Sequence, residues 1–283
     1  MRLLSYESEE GPAAAVQLDD SIVPMSELEA PAATVRGLLE RLDADGLRRL
    51  GERAAQADRR IPLAEVSLHA PVPDPQKVIC LGLNYRDHAE ETGQEIPAAP
   101  MWFAKFANSL TGSGADIVLP AAHPEYVDYE AELALVIGRL ARNVAVGDAL
   151  SHLAGAMPFN DVTARDLQFQ NPLWTSGKAI DTFAPCGPAL VSLEEIDDLE
   201  ALGLRTRVNG ELLQEGTTAN LIFGPAEVVA WLSRTITLLP GDIIATGTPA
   251  GVGAAQGRFL RSGDVVEVEL DGLGPLVNPV RAE

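Results

Sequence analysis

Glu130 and Glu132 alternate with apolar residues at the head of the run Ala131-Glu-Leu-Ala-Leu-Val-Ile-Gly138, and carboxylates at that spacing can share one cation. Side chains in a strand alternate faces, so both glutamates point the same way, with Ala134 and Val136 behind them. The other face carries Ala131, Leu133, Leu135 and Ile137. Beyond Glu132 both faces are apolar, the pattern of a strand covered on each side. Converging carboxylates repel one another. A hard divalent cation, Mg2+, Mn2+ or Ca2+, relieves that repulsion and gains the oxygen ligands it prefers. Taken alone, Glu-x-Glu is more often a solvated pair, so the case depends on a third ligand.

Asp161 lies a full return path of the chain beyond Glu132. It suits a helix cap and a third oxygen ligand equally well. If it opens a helix, Arg165 and Gln168 follow on its face, an arrangement suited to a carboxylate and a carbonyl oxygen. His88 and Glu91 share one face of a helical turn expected from Asn84, which should cap it. There the carboxylate can orient the imidazole and hold a proton on it; the plainer alternative is a surface histidine among acids. Gly93 and the Pro97 to Pro100 stretch end this helix, as in a mobile cover over an active site. Lys178, after Gly177, is either a solvated charge or an electrophile aimed inward. Thr246 and Thr248 either form turns or offer hydroxyls to a ligand carboxylate.

The elements that must position these residues are legible in outline. Leu3 to Tyr6, Ala14 to Leu18 and Ile22 to Pro24 read as strands, and residues 33 to 57 carry a leucine stripe at helical spacing, interrupted at Asp43-Ala-Asp-Gly46. Pro71, Pro73 and Pro75 suit a connection between domains, which places the boundary between residues 1–72 and 73–283. Beyond it come dense strand and turn signals, among them the Asn209-Gly210 hairpin. Leu239 to Gly253 is a turn, a strand and a glycine-rich loop without the order of a phosphate loop. The 41 acidic against 21 basic residues leave a formal charge of -20, which argues against nucleic acid and anionic membranes as partners. Cys80 and Cys186 stand far apart with no zinc spacing, so a reduced, cytoplasmic setting is expected.

Six ordered motifs, Asn84-Tyr-Arg-Asp-His-Ala-Glu-Glu91, Asp128-Tyr-Glu-Ala-Glu132, Asn160-Asp-Val-Thr-Ala-Arg-Asp166, Gly177-Lys178 with Asp181-Thr-Phe, Val208-Asn-Gly-Glu211 and Gly241 to Pro249, resemble the fumarylacetoacetate hydrolase family over residues 77 to 280. The resemblance implies an α+β, predominantly β fold, a mixed β-roll that dimerises, with residues 1–72 as a small N-terminal accessory domain. It implies Glu130, Glu132 and Asp161 as ligands of Mg2+ or Mn2+, with Ca2+ as a substitute. It also implies a His88 and Glu91 dyad on a lid, and Lys178, Arg165, Gln168 and Thr248 around a small 2-oxo acid. Lys105 is followed by Phe106 where many relatives have proline, and it is left out of the site. The expected reaction is hydrolysis of a 2,4-dioxo acid, an acylpyruvate, to pyruvate and a carboxylic acid. The alternatives are decarboxylation of oxaloacetate, isomerisation of a ring-cleavage dioxo acid, and a catalytically silent metal-binding homodimer.

Overall fold

The strand Ala131–Ile137 is buried along its whole length, as its two apolar faces require. A computed structural model gives its surroundings and describes residues 1–123 and 125–283. The N-terminal strands are β1 (Arg2–Ser8), β2 (Gly11–Leu18) and β3 (Ser21–Pro24), followed by helices α1 (Val35–Arg41) and α2 (Ala44–Ala55). The break between the helices falls where the sequence places it, because Asp43 caps α2 through its side chain on Gly46 N. Then come β4 (Val78–Gly82), α3 (Arg86–Thr92), β5 (Met101–Lys105), β6 (Ala131–Ile137) and β7 (Leu153–Asn160). Two short helices, α4 (Arg165–Phe169) and α5 (Thr175–Lys178), precede β8 (Leu190–Ser192).

The main sheet runs from the bridge at Ile61–Pro62 through β3, β2, β1, β8, β7 and β6 to β11 (Ile243–Ala245), β4 and β5. A second sheet is built on the hairpin β9 (Gly203–Val208) and β10 (Glu211–Thr217). Asn209 and Gly210 both have positive φ, the backbone a type I' turn demands. The hairpin continues through β12 (Val265–Leu270) and β13 (Gly274–Ala282) to Ile117–Leu119. Helix α6 (Pro225–Ser233) closes the layer. The fold is mixed and dominated by strands, as expected.

The two faces of β6 meet two different cores. Leu133, Leu135 and Ile137 pack with Leu204, Val266 and Val268 of the second sheet and with Val228 and Leu232 of α6. Ala134 and Val136 pack with Val78, Ile243, Leu3, Val16, Leu38 and Leu50. The N-terminal segment therefore shares a core with the central strands, and β1 pairs directly with β8, Leu3 opposite Leu190. Glu132 lies on the same face as Ala134 and Val136, where that second core ends.

Candidate active site

Pairing between β6 and β7 gathers the carboxylates. Ala131 stands opposite Asn160, so Glu130 and Asp161 flank the same rung of the ladder. Asp161 N donates to Glu130 O at 2.9 Å, and Glu130 N donates to Asn160 Oδ1 at 3.0 Å. This antiparallel return explains the long sequence separation between Asp161 and the glutamates. Glu130, Glu132 and Asp161 each offer a carboxylate oxygen, and the three oxygens lie within 4.8 Å of one another in a buried site. Glu132 Oε2 accepts from Gly247 N at 2.8 Å, while its Oε1 is buried with no hydrogen-bond partner. Burial and the charges of Asp161 and Glu130 push the Glu132 carboxyl well above the usual carboxylate range, and Lys178 offsets this only in part. An all-oxygen donor set with one orphaned buried oxygen fits a hard divalent cation.

Three cationic side chains share the site. Lys178 Nζ donates to Glu130 Oε2 at 2.8 Å and to Asp161 Oδ2 at 2.7 Å. Burial alone would lower its pKa, but Asp161 and Glu130 outweigh burial and raise it. Burial likewise favours the neutral form of Glu130, yet Lys178 and Arg165 overcome it and hold this carboxyl below its ordinary value. Arg165 Nε donates to Asp128 Oδ2 at 2.8 Å, and its Nη1 donates to Gln168 Oε1 at 3.0 Å. Its Nη2 lies 2.7 Å from both Asp128 Oδ2 and Glu130 Oε1, off the line of a well-directed hydrogen bond. The third cation is Lys105, fully buried, whose Nζ donates to Asp161 Oδ1 and, at 2.9 Å, to Val162 O. With Asp128 counted, four carboxylates face three cations, a balance that a divalent cation turns positive and ready for an anionic ligand.

Sequence reasoning missed Lys105 and gave Asp128 no role. The sequence signal for Lys105 is a lone charge inside the apolar strand Trp102-Phe-Ala-Lys105-Phe106. Two expectations about helix starts also need correction. Asp161 does not open a helix, because Thr163–Ala164 first pair with Val127–Asp128, and the helix begins at Arg165. Arg165 and Gln168 still share its face. Asn84 does not cap α3, whose N-cap is Tyr85; the Asn84 amide is buried and joins loops instead, donating to Thr246 O at 2.8 Å and accepting from Phe223 N at 2.9 Å. Thr246 is structural as well, since its hydroxyl donates to Leu133 O at 2.9 Å.

The remaining candidates converge on one cavity of about 430 Å3 lined by Glu130, Glu132, Arg165, Gln168, Lys178, Thr248, His88 and Glu91; Asp161 lies just behind this wall, fully buried. His88 Nδ1 lies 3.3 Å from Glu91 Oε2, and Glu91 Oε1 accepts from Gly251 N at 2.9 Å. The carboxylate thus ties the imidazole to the glycine-rich loop and leaves Nε2 as the nitrogen without a carboxylate partner. Thr248 Oγ1 accepts from Gln214 Nε2 at 2.9 Å, which leaves its own proton to donate to a ligand. Leu83, also on the wall, is held at φ 50°. That left-handed backbone costs a non-glycine residue about 1–2 kcal/mol.

Comparison with known proteins places this chain among related ones. The family profile for the fumarylacetoacetate (FAA) hydrolase C-terminal domain matches residues 77–281. The mitochondrial oxaloacetate tautomerase fahd2 of Xenopus laevis is 38% identical over 297 aligned positions, covering 99% of this chain and 90% of that protein. The oxaloacetate tautomerase YisK of Bacillus subtilis is 47% identical over 226 positions, 77% of this chain and 74% of that protein. Among solved structures, maleylpyruvate hydrolase from Sphingobium sp. SYK-6 in complex with manganese(II) ion and pyruvate superposes with a TM-score of 0.84 at 32% identity, covering 100% of this chain and 99% of that one.

Proposed function

The chain belongs to the fumarylacetoacetate hydrolase family, and on that premise we propose that it is a divalent-cation-dependent enzyme that hydrolyses a 2,4-dioxo acid to pyruvate and a carboxylic acid. The observation that carries this reading is the His88 and Glu91 pair lining the same cavity as the buried carboxylates. Glu130, Glu132 and Asp161 would hold Mg2+ or Mn2+. Bound there, the cation supplies Lewis-acid polarisation of the 2-oxo group, so that negative charge arriving at C3 is delocalised. The binding of manganese and pyruvate by the maleylpyruvate hydrolase supports this use of the site.

His88 Nε2 takes a proton from water, and the hydroxide adds to C4. The C3–C4 bond then breaks, its electron pair passes to the pyruvate half as an enolate, and the acid departs. Lys178, with its pKa held high by Asp161 and Glu130, stays an ammonium that faces the developing charge. His88 returns the proton it took to C3, which completes pyruvate. Gln168 and Thr248 offer hydrogen bonds to the carboxylate end of the substrate, and Arg165 adds charge behind them.

A second reading is supported by the names of the Xenopus and Bacillus relatives: keto–enol tautomerisation of oxaloacetate. It needs the same enolate, with His88 moving a proton between C3 and the 2-oxo oxygen, and no water. Comparing kcat/KM for acetylpyruvate and oxaloacetate, with products identified, separates the two. Hydrolysis predicts acetylpyruvate cleavage with kcat lowered about 10²- to 10⁴-fold in His88→Ala and Mg2+ affinity retained. A wild-type preference for oxaloacetate without cleavage of acetylpyruvate would contradict it.

A further inference from the structure

The cavity changes character away from its carboxylates. The Phe103 ring centroid lies 5.1 Å from Lys178 Nζ, and Trp174 meets Phe103 edge to face at 5.6 Å and 65°. Leu81, Leu83, Phe169 and Val252 also line the cavity, and Arg165 and Lys178 are the only Lys or Arg residues that line it among the described residues. Trp174 gains its place from Gly82, where an added Cβ would stand 2.4 Å from Trp174 Cζ3. Phe103 and Trp174 are only partly buried, so both rings keep apolar surface that a ligand can cover.

We propose that Phe103 and Trp174, seated over Gly82, bind the part of the substrate beyond C4 and select 2-oxo acids with a hydrocarbon tail, aryl or alkyl, over those with a second carboxylate. This inference rests on the 2-oxo acid end lying at Glu130, Glu132 and Asp161. A tail carboxylate against this wall loses its hydration, and the one ammonium beside it, Lys178, is already held by Glu130 and Asp161. The formal charge of -20 adds a general repulsion against dianions. An aryl tail instead covers apolar surface and meets ring edges and faces. Oxaloacetate, which ends at its C4 carboxylate, does not extend to this wall. Tail selection and turnover of oxaloacetate are therefore separate properties of one cavity.

Calorimetric titration of the full chain in saturating Mg2+ with phenylpyruvate, pyruvate and 2-oxoglutarate tests the proposal without any turnover. Phenylpyruvate is expected to bind at least about tenfold more tightly than pyruvate, and 2-oxoglutarate no more tightly than pyruvate. Trp174→Ala should reduce the phenylpyruvate advantage to under about threefold. Gly82→Ala, which keeps the indole but displaces it, should act in the same direction, and thermal unfolding of both variants checks that they fold. Tighter binding of 2-oxoglutarate than of phenylpyruvate, or an advantage undiminished in both variants, would overturn it. If pyruvate binds and phenylpyruvate has no advantage, tail selection falls while the 2-oxo acid reading stands; if pyruvate fails to bind with Mg2+ present, that reading falls and tail selection with it.

Discussion

Asp161 is held from both sides, by Lys105 on Oδ1 and Lys178 on Oδ2. Both lysines are buried, so removing Lys105 leaves one buried oxygen of Asp161 without its cation. Lys105→Met should therefore cost about 3–5 kcal/mol, the range for breaking a buried ion pair. Urea unfolding checks this, and a loss below about 1 kcal/mol would mean that Lys178 alone keeps Asp161 in place. The same variant should bind Mg2+ with altered affinity, because Lys105 sets which way the Asp161 carboxylate turns. Residue types offered Glu130, Glu132, Asp161, Lys178, Arg165, Gln168, Thr248, His88 and Glu91 as candidates and the family resemblance selected them, and the fold brings them to one place. Lys105 is hidden because Phe106 follows it where many relatives have proline, and the lone charge within its apolar strand is the only local sign of its role. A cation in that setting needs an anion, and only the pairing of β6 with β7 shows that the anion is Asp161.

One element away, the short helix α7 (Gly253–Gln256) acts on the site without lining its charged end. Gly253 N and Ala254 N donate to the two oxygens of Asp128 at 2.7 and 2.9 Å, and Asp128 in turn holds Arg165. A Cβ at Gly253 would stand 2.0 Å from Arg258 O and 2.5 Å from Asp128 Oδ1, so the carboxylate must shift. Gly253→Ala should lower kcat/KM at least about tenfold and destabilise the fold by about 1–3 kcal/mol through overpacking. Steady-state kinetics beside thermal unfolding tests it, and wild-type kcat/KM would show that Arg165 does not depend on this helix. Elements with local signals are legible in sequence: the helix break at Asp43 to Gly46, the Asn209-Gly210 turn and the alternating faces of β6. Helix starts slipped by one residue at Asn84 and by four at Asp161, because bridges to distant segments decide where those helices begin. Such pairings leave no local trace.

Across the whole molecule, the first three strands extend the main sheet, and Leu3, Val16, Leu38 and Leu50 lie in one core with Ala134 and Ile243. Removing residues 1–72 would uncover the β8 edge and that core, so the 73–283 fragment should lose cooperative unfolding and aggregate. A fragment that melts cooperatively near the full chain would show that the segment folds apart. The prolines near residue 73 mark a change of texture in the sequence, yet they do not reveal that the sheet runs on past them. The molecule assembles one cavity lined by buried carboxylates, a lysine and a histidine–glutamate pair, and on the proposed reading these serve the enolate of a 2-oxo acid, whichever reaction consumes it. The most direct test is deuterium exchange into the methyl group of pyruvate in D2O, followed by proton NMR, since it reads enolate formation alone. The account predicts Mg2+- or Mn2+-dependent exchange that disappears on chelation and falls about 10²-fold or more in both Asp161→Asn and His88→Ala. Exchange at the wild-type rate in those variants, or in the presence of excess chelator, would contradict it.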